Sequence, residues 1–150
     1  MLTFHDENYD TCAEGIKALV NEAWEVNGHG TFAKEIPEPD FEAYNNLNFA
    51  GLLGCIVMRD GDRIVGYSTF YLTRLMHHSK RLGALSDSIF VHPAWHSVLA
   101  VRELIYQTEL AAMKRKASKI TWMALSRNAF GALLSHLKYE PEATLFVKPL

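Results

Sequence analysis

DSIFVHPAWHSVLAVRELIYQTE, residues 87–109, contains the change of local structure that decides the fold. Ile89, Phe90 and Val91 form a short apolar strand that breaks at His92-Pro93, because proline lacks an amide and disfavours helix in the residue before it. The chain turns through Ala94-Trp95-His96 and continues as an amphipathic helix, expected over 97–116, with Val101, Leu104, Ile105, Thr108 and Ala111 on one face. Ser97 is placed to cap it, and Lys114, Arg115 and Lys116 end it favourably for the helix dipole. A strand feeding a helix whose first amides face open space is an anion site, so this unit reads as half of a cofactor pocket.

Outward from this unit the pattern is equally regular. Ile120 to Leu125 reads as the next strand, and strand, helix, strand in this order implies a right-handed parallel crossover. Asn128 to Leu137 reads as a short helix and Ala143 to Val147 as a final strand. Upstream, Leu53 opens the buried-strand run Cys55-Ile56-Val57-Met58, and Asp60-Gly61 is a hairpin signal. Arg63 to Leu72 returns, with Gly66 marking a bulge or a close backbone approach. Leu75 to Arg81 reads as a polar connection, and Leu82 to Val91 as the third strand of a meander.

Before the meander, Thr11 to Glu14 fits a capping box, followed by Ile16, Leu19, Val20, Ala23 and Trp24 at helical spacing. That helix is expected to stop near Asn27-Gly28, with a turn over Gly28 to Thr31. Asp40 is expected to cap a second helix carrying Phe41, Tyr44 and Leu47. The order is two leading helices, an antiparallel meander, one strand-helix-strand crossover, a helix and a closing strand. It predicts an α/β (α+β) sandwich around one mixed sheet, a single domain over 1–150, and not a doubly wound fold.

Composition excludes several classes. Hydrophobic residues at 49% and charged residues at 21% are ordinary for a globular chain. A net charge of -2 argues for neither a nucleic-acid nor an anionic-membrane partner. Cys12 and Cys55 read as buried free thiols of a reducing compartment. The first residues carry neither a basic segment nor an apolar run, and the longest nearly apolar run, 49–58, is far short of the ~20 residues of a membrane span. A cytoplasmic location is the default expectation.

The chain resembles the GNAT superfamily of acyl-CoA-dependent N-acetyltransferases over roughly Cys55 to Leu150. Val91-His92-Pro93 and Trp95 match its strand-end V-x-P and the aromatic that follows. Leu104-Ile105 matches the apolar pair of its helix, and Asn128 through Tyr139 resembles its later segment of Asn, Ala, an apolar pair and Gly-Phe. The tail LLSHLKYEPEATLFVKPL is more loosely similar to small GNAT-like proteins of tailed bacteriophages. The resemblance implies a GNAT-like sheet whose two parallel strands splay apart, so that the pantetheine arm of acetyl-CoA pairs like an added strand with Ile89 and Val91, on either side of Phe90. It implies a pyrophosphate on the amides of His96, Ser97, Val98, Leu99, Ala100 and Val101.

The match is incomplete in two places. The family's Arg-Gly-x-Gly-x-Gly/Ala is replaced by His96-Ser97-Val98-Leu99-Ala100-Val101, which leaves His96 or Arg102 to supply a cation. Leu134 stands where the family often has a proton-donating Tyr, and Tyr139 falls on its Phe position. By the same resemblance Asp87 is the candidate general base, the alternative being a strand-end hydrogen-bonding Asp. His92 and His96 are candidates for base or phosphate ligand against simple packing. Asn128 is a cofactor contact, a helix cap, or both.

Six acidic residues between Glu22 and Glu42 suit a cationic amine acceptor or a solvated face. Trp24, Phe41 and Tyr44 read as core anchors rather than a substrate cage. His77-His78 lacks a third ligand, so no metal is expected. The expected function is acetyl transfer from acetyl-CoA to a primary amine by direct attack. The alternative is a GNAT-like module that has lost turnover and works by protein binding. Open strand edges leave a homodimer as a further expectation. No Gly-Lys-Ser/Thr loop or G-x-G-x-x-G supports a nucleotide binder.

Overall fold

In a computed structural model, which describes residues 1–27, 34–125 and 129–150, one sheet runs between two helical layers. The elements are β1 (Leu2–Glu7), α1 (Tyr9–Asn27), α2 (Phe41–Phe49), β2 (Leu53–Asp60), β3 (Arg63–Leu75) and β4 (His78–Val91). A 3-10 turn (Pro93–Trp95) leads to α3 (Val98–Lys114), β5 (Ala117–Thr121) and α4 (Phe130–His136). The sheet order is β1-β2-β3-β4-β5, antiparallel except for the parallel pair β4 and β5. This is the mixed α/β sandwich with two leading helices and one crossover that the sequence implies.

Each face of the sheet has its own core. On one, Cys12, Ile16, Leu19 and Ala23 of α1 pack on Cys55, Val57, Tyr67 and Phe90. On the other, Leu104, Ile105 and Ala111 of α3 and Leu134 of α4 pack on Ile56, Met58, Val65 and Phe70. All five expected inward residues of α3 are buried. Leu104 and Ile105, at 0% and 1% exposure, each contribute roughly 1.5–3 kcal/mol through burial. Cys12 and Cys55 are buried free thiols.

Gly61 closes the β2–β3 hairpin with φ +59, and the register shifts between Met58 and Arg59 where β3 passes Val65. A Cβ on Gly66 would meet the Phe90 carbonyl oxygen at 2.9 Å, so the glycine permits the close approach of β4.

Four expectations are corrected. β1 was not legible: its edge position leaves His5 and Asp6 exposed, and the pattern of inward Leu2 and Phe4 is short. Asn8 rather than Thr11 caps α1, accepting from Asp10 N at 2.9 Å, while the Thr11 hydroxyl donates back to the Asn8 carbonyl at 2.7 Å. The polar stretch Leu75 to Arg81 is a tight hairpin, because β3 and β4 pair out to Leu75–His78 beyond the helices that would bury them.

The fourth is the final strand, Ala143 to Val147, which does not form. Leu145, Phe146 and Val147 are exposed, and the tail's recorded hold on β5 is Glu142 accepting from Lys119 Nζ at 3.0 Å. Strand propensity expresses fit to a half-buried sheet, which this tail lacks. The expected turn at Gly28 to Thr31, and Asn128, lie outside the described residues. Among the described residues no helix is long and apolar enough to cross a membrane.

Candidate active site

The parallel ladder between β4 and β5 runs from Leu82–Ala117 to Leu85–Thr121 and ends there, while β4 continues to Val91 with β3 as its paired strand among the described residues. The strand expected over Ile120 to Leu125 forms instead over Ala117–Thr121, and the chain leaves it at Trp122, whose ring packs edge-on against Phe130 of α4 at 5.8 Å and Tyr139 at 6.5 Å. A gap therefore opens beside the end of β4. His92 N donates to Val65 O at 2.9 Å, which sets the alternation of the β3–β4 ladder. In an antiparallel pair every second residue turns its backbone groups away from the partner. Those residues here are Val91 and Ile89, the latter already engaged in an interaction of its own, while Phe90 exchanges bonds with β3.

Beyond Val91 the chain is pinned. Trp95 Nε1 donates to Asp60 Oδ2 at 3.0 Å, a bond that holds the Asp60 carboxyl below its usual range. Arg63 lies over the Trp95 ring at 4.9 Å. Ser97 Oγ accepts from Ala100 N at 3.0 Å, and Val101 N donates to Ser97 O at 3.0 Å, so the amides of Val98 and Leu99 precede the first intrahelical bond of α3. Val98 and Leu99 are 61% and 73% exposed, so their side chains lie in solvent rather than packed over the helix tip. The missing glycines have not sealed the anion site. Arg102, Leu99 and Tyr106 continue from the tip as the wall of a groove of about 360 Å³ that reaches Leu137.

Asp87 occupies a bulge in β4: Thr69 pairs with Ser88 and Phe70 with Ser86, leaving Asp87 as the extra residue. The bulge aims its carboxylate at the α1–α2 face, where Oδ2 accepts from Thr69 Oγ1 at 3.0 Å and from the Tyr44 hydroxyl of α2. Burial, and then the Asp87 charge, push the Tyr44 phenol far up, so it stays a donor.

Tyr44 and Thr69 also line a cavity of about 240 Å³ on this face, with Tyr9, Trp24, Phe41 and Tyr67 among its other walls. Trp24 and Phe41 thus border an open space, while Tyr44 both borders it and packs against the core of this face. Burial raises the Tyr67 phenol, and Tyr9 stacks on Tyr44 at 5.6 Å.

The remaining candidates are distributed around this centre. His92 Nδ1 accepts from Ala94 N at 3.1 Å, so the neutral ring carries its proton on Nε2, 3.3 Å from Glu22 Oε1. Both ring nitrogens are engaged, and His92 ties the end of β4 to α1. His96 is exposed beside the helix tip. Leu134 is buried in the core, and Tyr139 donates to Glu109, so neither faces the gap as a free proton donor. His77 and His78 are exposed in the β3–β4 hairpin, and among the described residues no cluster of His, Cys, Asp or Glu is suited to a metal ion.

Sequence reading located Asp87 and the β4–α3 turn but missed the Tyr44–Asp87–Thr69 link and the cavity. The available signal was Thr69, a polar residue at an inward strand position facing an aromatic-rich helix pair.

The parallel pair whose ladder stops at Leu85–Thr121 and the capped helix beyond it belong to a fold that this chain shares with solved structures of GNAT acetyltransferases. The enzyme AAC(6')-Iy, in complex with the bisubstrate analogue CoA-S-monomethyl-acetylneamine, superposes with a TM-score of 0.73 at 14% identity over 100% of this chain and 99% of its own. An aminoglycoside acetyltransferase, meta-AAC0020, from an uncultured soil metagenomic sample and bound to sisomicin, gives 0.75 at 16% identity over 99% and 96%. A GNAT family acetyltransferase of Staphylococcus aureus gives 0.69 at 12% identity over 99% and 98%. At such identities the likeness is one of fold. No protein-family model and no curated protein sequence matches the chain.

Proposed function

We propose that the chain is a single-domain cytoplasmic N-acetyltransferase that moves acetyl from acetyl-CoA to a primary amine by direct attack. The observation that carries this reading is the ladder that closes at Leu85–Thr121 while β4 runs on to Val91. The pantetheine arm enters that gap and pairs with the outward backbone of Val91, Phe90 staying locked to β3. The thioester carbonyl is polarised at the Val91 amide. The pyrophosphate lies at the helix tip on the amides of Val98 and Leu99, since those of His96, Ala100 and Val101 are already bonded to Pro93 O, Ser97 Oγ and Ser97 O, with Arg102 and the groove along α3 taking the nucleotide end.

Asp87 acts as general base, taking a proton from the acceptor ammonium directly or through water. His92, whose Nε2 already faces Glu22, is the second candidate base and serves more readily to fix the end of β4. Calorimetric titration with acetyl-CoA tests the reading: saturable binding is expected, and no binding at millimolar ligand contradicts it.

A second reading, a GNAT-like module acting by protein binding, is favoured by Leu134, which packs in the core where the fold often places a proton donor. CoA release with any amine acceptor decides against it.

A further inference from the structure

We propose that the acceptor is a small primary monoamine with an aromatic body, seated in the cavity between α1 and α2 with its ammonium at Asp87; this rests on the acetyl-transfer reading. The cavity of about 240 Å³ is small, since sites for drug-sized ligands run to ~300–1,000 Å³. Five of its walls are the rings of Tyr9, Trp24, Phe41, Tyr44 and Tyr67. Aromatic walls stack a ring and attract an alkylammonium.

Charge limits the acceptor further. Asp87 is held to two wall residues, Tyr44 and Thr69, which places one carboxylate beside the cavity. Of the acidic run between Glu22 and Glu42, none lines the cavity: Glu22 faces His92, Asp40 caps α2 by accepting from Ala43 N, and Glu25, Glu35, Glu38 and Glu42 are exposed. A polycation would carry further ammonium groups into a space whose lining, among the described residues, includes no charged side chain.

In the step itself the ammonium gives one proton to the Asp87 carboxylate. The free amine attacks the thioester carbon, the C–N bond forms and the C–S bond breaks. The departing thiolate takes the second proton released by nitrogen, and Asp87 returns its own to solvent.

The test compares CoA release with tyramine and with sisomicin, alongside calorimetric binding of acetyl-CoA. Tyramine is expected to exceed sisomicin in kcat/KM by ~100-fold or more. Equal or better turnover of sisomicin, with acetyl-CoA bound normally, overturns the monoamine proposal and leaves acetyl transfer standing. Failure to bind acetyl-CoA, or binding without CoA release from either amine, overturns both. Val20→Phe, which adds bulk to a cavity wall, is expected to raise the tyramine KM ~10-fold or more without changing acetyl-CoA affinity. An unchanged KM in the folded variant contradicts the placement, and the comparison of the two amines stands without it.

Discussion

Tyr44 of α2 donates its hydroxyl to the carboxylate of Asp87, which sits at the bulge of β4, joining the leading helices to the strand that edges the gap. Helix pair and open strand are thereby linked at one point, and the link requires Tyr44 to remain protonated, as its raised phenol ensures.

Replacing the base should therefore cost rate and spare binding. Asp87→Asn is expected to lower kcat/KM for an amine acceptor by ~10²–10⁴, with acetyl-CoA affinity unchanged. Tyr44→Phe, which leaves Thr69 as the carboxylate's partner, is expected to lose ~10-fold. Steady-state kinetics paired with calorimetry reads both. A change confined to acetyl-CoA affinity would place Asp87 on the cofactor side instead.

At acid pH the edge of the sheet should loosen through Glu7. Arg59 Nε and Nη2 reach its two oxygens at 2.7 and 2.9 Å, clipping β1 to β2, and this hydrogen bonding holds the carboxyl below its ordinary 4.5. A lowered folded-state value means stability is present above 4.5 and is lost as pH falls through the folded value. Glu7→Gln is expected to cost about 1 kcal/mol near neutrality and to flatten the acid limb. Urea melts across that limb check it, and parallel acid limbs in the two proteins would refute the assignment.

Alkaline behaviour runs the other way through Tyr9. Burial raises its phenol from 10.0 to about 12. A raised value means full stability below pH 10 and a loss as pH climbs from 10 toward 12. Tyr9→Phe removes an unpartnered hydroxyl, so stability at pH 7 should hold while the decline between pH 10 and 12 becomes shallower. Thermal melts across that window decide it. An unchanged decline would mean that the other raised phenols, Tyr44, Tyr67 and Tyr139, account for it.

These residues also mark where the sequence is readable. α3 was legible because five inward positions recur at helical spacing behind a capping Ser97 and a strand-ending proline. β1 was not, since an edge strand of six residues with an exposed outer row carries too little apolar alternation. Ala143 to Val147 misled because propensity alone does not make a strand: the tail stays exposed and unpaired although β5 is an edge of the sheet. Asp87 was a candidate through the resemblance, which implies an acidic residue at that strand. Its bulge was not legible, because register is a property of two strands and one strand alone does not contain it. The cavity was hidden for a similar reason: Trp24, Phe41 and Tyr44 have the spacing of core residues, and only packing distinguishes a filled face from a hollow one.

The most direct measurement is amide hydrogen exchange with and without saturating acetyl-CoA. If the thiol-bearing arm lies along the free end of β4, exchange at Val91 and at the helix-tip amides of Val98 and Leu99 should slow. Phe90, already laddered to β3, should change little. No slowing at Val91 and the helix tip, with acetyl-CoA bound, would contradict a cofactor seated between β4 and β5.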